Sequence, residues 1–304
     1  VLAGLAATAV AGPAAAEESA TLEEVAVEGL GKLGAAAVEP PFDAEGLERR
    51  LAAKGMKAGS PVFIRIFKEE AELELWVDVG GRFELFATYP ICNWSGTLGP
   101  KLTEGDGQSP EGLYSIGARQ LHYSARWRRA LDLGFPNTFD RSARRTGSDV
   151  LLHGGCTSTG CFAMTDRVMA EIFSLSQAAL AGDKGRIEVH AFPFRMTPDN
   201  LAAHELDESY GFWADLKEAY DLFERTRVPP AVGVCNNRYA VGEAAVAGAG
   251  CVENVATVSA PVRRGRFARS RARGSALKAY AAARKARMAA RQRQAAASQR
   301  KVSK

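Results

Sequence analysis

The 304-residue chain is poor in the side chains that most often carry chemistry or cross-links, with five cysteines and four histidines. That cysteine density is too low for a disulfide scaffold, so the fold has to rest on ordinary apolar burial. The odd count leaves at least one thiol unpaired within the chain. Internal repeats are missing, which excludes a solenoid, and beyond the first residues no apolar run is long enough to span a bilayer. Acidic residues vanish from residues 262–304, which hold fifteen Lys and Arg, leaving 24 basic residues against 35 acidic in the remainder. A net charge of +4 therefore conceals an acidic body joined to a cationic tail.

What is present is enough for one sizeable core or two modest ones, since 46% of residues are hydrophobic. Residues 1–17 are small and apolar until Glu17, and Ala14-Ala15-Ala16 matches a signal-peptidase pattern, so they read as a signal peptide. Export places the protein in the periplasm or cell envelope. Residues 18–41 read as a linker closed by Pro40-Pro41, residues 42–240 as the folded domain, and residues 241–304 as an Ala/Arg-rich basic tail expected to be disordered. Residues 61–68, 73–79 and 83–91 are rich in β-branched and aromatic residues, and Gly80-Gly81 supplies a turn, which predicts an antiparallel meander. Further strands are expected at 112–116, 148–154 and 186–194. Helices are expected at 44–54, at 166–180 with Thr165 or Asp166 as N-cap, and at 211–226 before Pro229-Pro230.

The informative segment is HGGCTSTGCFAMTD, His153 to Asp166. A thiolate is the nucleophile of acyl transfer, and Cys161 lies just before a predicted helix, whose free N–H groups and dipole favour ionised sulfur. His153 can take the thiol proton and deliver it to a leaving amine. Gly160 lets backbone N–H groups approach a tetrahedral oxyanion. A zinc reading would use His153, Cys156 and Cys161, but C-x4-C lacks knuckle spacing and no fourth ligand stands nearby. On chemistry alone a buried, inert cysteine and a strand-end histidine remain open.

The same segment resembles the YkuD-type L,D-transpeptidase family, with His153-Gly154 as its first motif half and Ser158-Thr159-Gly160-Cys161 as its second. Thr159 stands where most members have histidine, and the interval is short; both features match the YafK-like branch, whose H-G-x-C-x-S-x-G-C-x-A-M-x-D pattern is met throughout. Residues 99–114, 190–197 and 212–230 extend the likeness, which covers roughly residues 61–239. The resemblance implies a mixed α/β, mostly β, YkuD-like β-sandwich-type catalytic domain with flanking helices. It implies Cys161 as nucleophile attacking the meso-diaminopimelate carbonyl of peptidoglycan stem peptides, and His153 as base with its ring oriented by the Gly154 carbonyl. It also implies oxyanion N–H groups from Gly160 and Cys161, and Ser158 as a residue shaping the loop. Neither cofactor nor metal is implied, and hydrolysis is favoured over exchange because the branch includes amidases that release wall-attached proteins.

Weaker candidates surround this core. Arg195 could meet a substrate carboxylate through its fork. His122, Tyr123 and residues 126–129 could line a cleft. Cys156 reads as a packing residue, with modulation of Cys161 or a disulfide to it as alternatives, and Cys235 could pair with Cys251. The tail could hold anionic envelope polymers or lipid headgroups, while nucleic acid is not expected because no aromatic residues interleave the charges. The rival from another class is a non-catalytic envelope-binding protein that uses this tail.

Overall fold

A computed structural model describes residues 40–122, 129–181, 185–243, 247 and 250–254. The expected signal peptide, nearly all of the linker and the tail beyond residue 254 lie outside the described residues. The described residues from 41 onward form one compact unit. It opens with helix α1 (Ala44–Ala53), whose Leu47 and Leu51 turn inward while Asp43 caps its first turn by accepting from Gly46 N–H.

The expected meander forms strands β1 (Val62–Phe67), β2 (Glu72–Val79) and β3 (Arg82–Pro90), paired antiparallel. Between β2 and β3 the turn is closed by Gly81 N–H donating to Asp78 Oδ1 at 2.8 Å. β10 (Ile187–Phe192) joins the far side of β1 in parallel, and β5 (Gly112–Ile116) pairs antiparallel with β10, giving the order β3-β2-β1-β10-β5. Every residue of β1 is buried because this sheet is covered on both faces. Its alternation sends Val62, Ile64 and Ile66 into one core and Phe67 into another.

The first core is shared with helix α3 (Asp166–Ala179), through Met169, Ile172 and Phe173, and with a second sheet of short strands. That sheet has the order β4-β9-β8-β7-β6, from β4 (Asn93–Trp94), β6 (Leu121–His122), β7 (Ala130–Asp132), β8 (Leu151–His153) and β9 (Phe162–Ala163). The opposite core is closed by helix α5 (Tyr210–Thr226), whose Trp213, Leu216 and Ala219 pack on Phe192 and Phe194. Short helices α2 (Thr138–Ser142) and α4 (Pro198–Ala203) complete the frame.

The expected boundary at residue 240 falls short. β11 (Val232–Cys235) is flanked by β12 (Arg238–Val241) and β13 (Cys251–Glu253) in a third sheet, and a Cys235–Cys251 disulfide fastens the last strand. Asn254 then donates from its side chain to the Leu113 carbonyl at 2.6 Å, so the fold continues to at least this residue.

Candidate active site

The site is a product of strand register. β8 and β9 run parallel, with Leu152 beside Phe162 and His153 beside Ala163, so Cys161, one residue before β9, lies beside Leu151. Leu152 and Phe162 point into the core, and the two-residue period of a strand therefore turns Leu151, His153 and Cys161 to the opposite face. Leu151 N–H donates to the Cys161 sulfur at 3.4 Å, and the thiol faces the Asp149 carbonyl at 3.6 Å. His153 is buried, and its Nδ1 sits 2.6 Å from the Gly154 carbonyl. A carbonyl can only accept, so Nδ1 carries the hydrogen and Nε2 is left as the basic nitrogen.

At Gly154 a side chain would require the Asp166 carboxylate to shift. A Cβ there would come within 2.3 Å of the Asp166 carboxylate at the start of α3. Gly160 needs its glycine for a different reason, since its φ of 105° belongs to the left-handed half of backbone space.

Three serines enclose the Cys161 backbone. Ser158 Oγ accepts from Cys161 N–H at 3.0 Å and donates to the Cys161 carbonyl at 2.6 Å. Ser109 Oγ donates to the same carbonyl at 2.7 Å, and Gly160 N–H donates to Ser95 Oγ. The two N–H groups expected to serve an oxyanion, those of Gly160 and Cys161, are each bonded to a serine hydroxyl in this structure. Ser95 and Ser109 were not singled out from the sequence, where only their Gly- and Pro-rich surroundings marked a site loop.

The helix-dipole expectation for Cys161 also fails. α3 starts at Asp166, with β9 between it and the thiol. Burial pushes the Cys161 thiol above its ordinary pKa; the Leu151 N–H opposes the rise, the Asp149 and Asp132 carboxylates add to it, and Lys101 subtracts from it. Burial thus favours the neutral thiol over the thiolate at Cys161.

Cys161 is the free cysteine, because Cys92 bridges to Cys156 and Cys235 to Cys251. The packing reading of Cys156 gives way to this bridge, which joins the entry to β4 with the loop between His153 and Cys161. It also takes Cys156 out of the zinc ligand set. Arg195 is not placed to fork onto a substrate. Its guanidinium donates to Glu72 and Glu74 at 2.6 Å each and lies 4.4 Å from the Phe67 ring, because the end of β10 delivers it beside β2. His122 Nε2 is 3.8 Å from Asp132 on the neighbouring strand, and residues 123–128 lie outside the described residues.

Comparison with known proteins gives a relative that decides the family. Over 185 residues, 61% of this chain and 75% of the relative, the sequence is 45% identical to "Putative L,D-transpeptidase YafK" of Escherichia coli strain K12, and equally to its counterpart in strain O157:H7. The chain belongs to the YafK-like L,D-transpeptidase family. No family model matches it. Among solved structures it is similar to the helical cell shape determining protein Pgp2 of Campylobacter jejuni at 17% identity and a TM-score of 0.38, covering 59% of this chain and 64% of that one. It is similar also to Bd1075 of Bdellovibrio bacteriovorus at 18% identity and a TM-score of 0.33, covering 55% and 59%. The chain thus spans less than two thirds of either solved chain. The mixed architecture, with sheets predominating and helices flanking, is the fold expected of the YafK-like branch.

Proposed function

We propose that this YafK-like protein is a thiol acyl-transfer enzyme of the cell envelope that acts on diaminopimelate-containing peptidoglycan. The observation that carries the reading is that the one cysteine outside a disulfide shares a strand face with a histidine whose Nδ1 is tied to the Gly154 carbonyl. Cys161 sulfur attacks the meso-diaminopimelate carbonyl carbon while His153 Nε2 takes the thiol proton. The C–N bond then breaks, the proton passes to the leaving amine, and a thioester remains. Water or a second amine attacks that thioester, and the sulfur regains its proton. A raised thiol pKa makes the base indispensable to the first step. Gly160 N–H and Cys161 N–H serve the oxyanion only once the substrate oxygen replaces the serine hydroxyls as their partner.

Hydrolysis is the favoured outcome, with release of wall-attached peptides or proteins; exchange of amide bonds is the other fate of the same thioester. The experiment incubates the protein, and a Cys161→Ala variant, with peptidoglycan carrying attached peptides and reads the products by mass spectrometry. Free diaminopimelate termini made only by the unmodified protein are the expected result, new linkages would reassign it to exchange, and full turnover by Cys161→Ala would contradict the reading.

A further inference from the structure

Lys68, the residue after β1, has no solvent exposure, yet it carries a charge into the centre of the fold. Its Nζ donates to the carbonyls of Thr97 at 2.8 Å, Gly99 at 3.0 Å and Ser109 at 3.0 Å, and to Glu111 Oε1 at 2.8 Å. Glu111 is equally buried; it also accepts from Gly99 N–H and from Trp213 Nε1, each at 2.7 Å. Replacing a buried ion pair by apolar residues is often neutral or stabilising, so the pair is weakly explained by stability alone. What it does accomplish is geometric: one ammonium gathers three carbonyls of the loop between β4 and β5.

Ser109 links that ammonium to the nucleophile. Its carbonyl is held by Lys68, its hydroxyl accepts from Ser95 N–H at 3.0 Å and donates to the Cys161 carbonyl at 2.7 Å, and its N–H donates to the Ser95 carbonyl at 2.8 Å. Ser95 in turn accepts from Gly160 N–H. We propose that Lys68 and Glu111 are positioning residues for Cys161, acting through Ser109 and Ser95, so that the first sheet sets where the nucleophile's backbone lies. This rests on the reading of Cys161 as nucleophile. Displacing a reacting group by about 1 Å can cost about 100-fold in rate, which sets the scale of the effect.

The test uses the full chain with Ser109→Ala and Lys68→Met, and Lys217→Ala as a control on the outer face of α5, where Lys217 pairs with Asp221. Turnover on peptidoglycan and the pH dependence of Cys161 alkylation by iodoacetamide are both measured. Ser109→Ala is expected to stay folded, to lose about 10- to 100-fold in kcat at unchanged KM, and to move the alkylation midpoint upward as the sulfur slips from Leu151 N–H. Lys68→Met, where it folds, shows the same changes more strongly, and where it does not, Ser109→Ala alone decides. A Ser109→Ala protein with unaltered kcat and alkylation profile, or altered only in thermal midpoint, overturns the proposal. Turnover by Cys161→Ala would instead overturn the underlying assignment of the nucleophile and leave the alkylation comparison standing.

Discussion

The two five-stranded sheets are built on different terms. Strands of the first run from five to nine residues and β1 is paired along its whole length with β2 and from Phe63 to Phe67 with β10, so backbone pairing and two cores suffice to hold it. Strands of the second are two or three residues long, well below the usual five or six. They are kept in place by serine hydroxyls, a disulfide and the close approach of Gly154 to α3. The candidate chemistry sits on the second sheet, where few ladder bonds constrain the backbone and individual side chains can set its position. The first sheet contributes rigidity at a distance, through Lys68.

Removing the Cys92–Cys156 bridge should separate the sheets most strongly. Its cysteines are 64 positions apart, which the chain-entropy account values at about 4 kcal/mol, against about 3 kcal/mol for the separation of 16 between Cys235 and Cys251. Cys92→Ser is therefore expected to lower the denaturant midpoint more than Cys235→Ser and to reduce turnover as well, whereas Cys235→Ser leaves kcat intact. Equal losses of kcat in both would erase the distinction.

On the first sheet the sharpest probe is His190, fully buried beside the Phe63 ring, with both ring nitrogens lacking a hydrogen-bond partner among the described residues. Burial, with Arg65 nearby, pushes its pKa down to about 3 from 6.5. The unfolded chain binds this proton at about pH 6.5 and the folded one does not, so the stability contribution is complete above 6.5 and is lost as pH falls towards 3. From pH 6.5 to 4.5 the native protein should lose about 2 kcal/mol relative to His190→Leu, measured by urea unfolding at each pH. Parallel stability curves for the two proteins would show that His190 is protonated in the fold. The smallest effect is expected at Arg195: Arg195→Gln should cost about 1 kcal/mol of stability, since its ion pairs are partly exposed. Its KM should stay within about twofold of the native value, and a large KM rise would point instead to contact with substrate.

Strand alternation and the Gly80-Gly81 turn made the meander legible in the sequence, and the cap of α3 was narrowed to Thr165 or Asp166, of which Thr165 is the one used, because these signals are local. The pairing of Cys92 with Cys156 was not, since the residues are 64 positions apart and only the register of β4 on β9 brings them together. Lys68 and Glu111, 43 positions apart, were hidden for the same reason. Cys161 and His153 stood out as a motif, yet the partner of Gly160 N–H is Ser95, which the motif does not contain. The fork of Arg195 pointed equally well to a substrate until β2 was seen to deliver Glu72 and Glu74 beside it.

The most direct measurement is the mass of the acid-quenched protein during turnover on peptidoglycan stem peptides. The account predicts an acyl adduct on the peptide containing Cys161, released by neutral hydroxylamine as a thioester is, and absent from Cys161→Ala. Turnover that proceeds with no adduct at Cys161, or with the adduct on another residue, would contradict it.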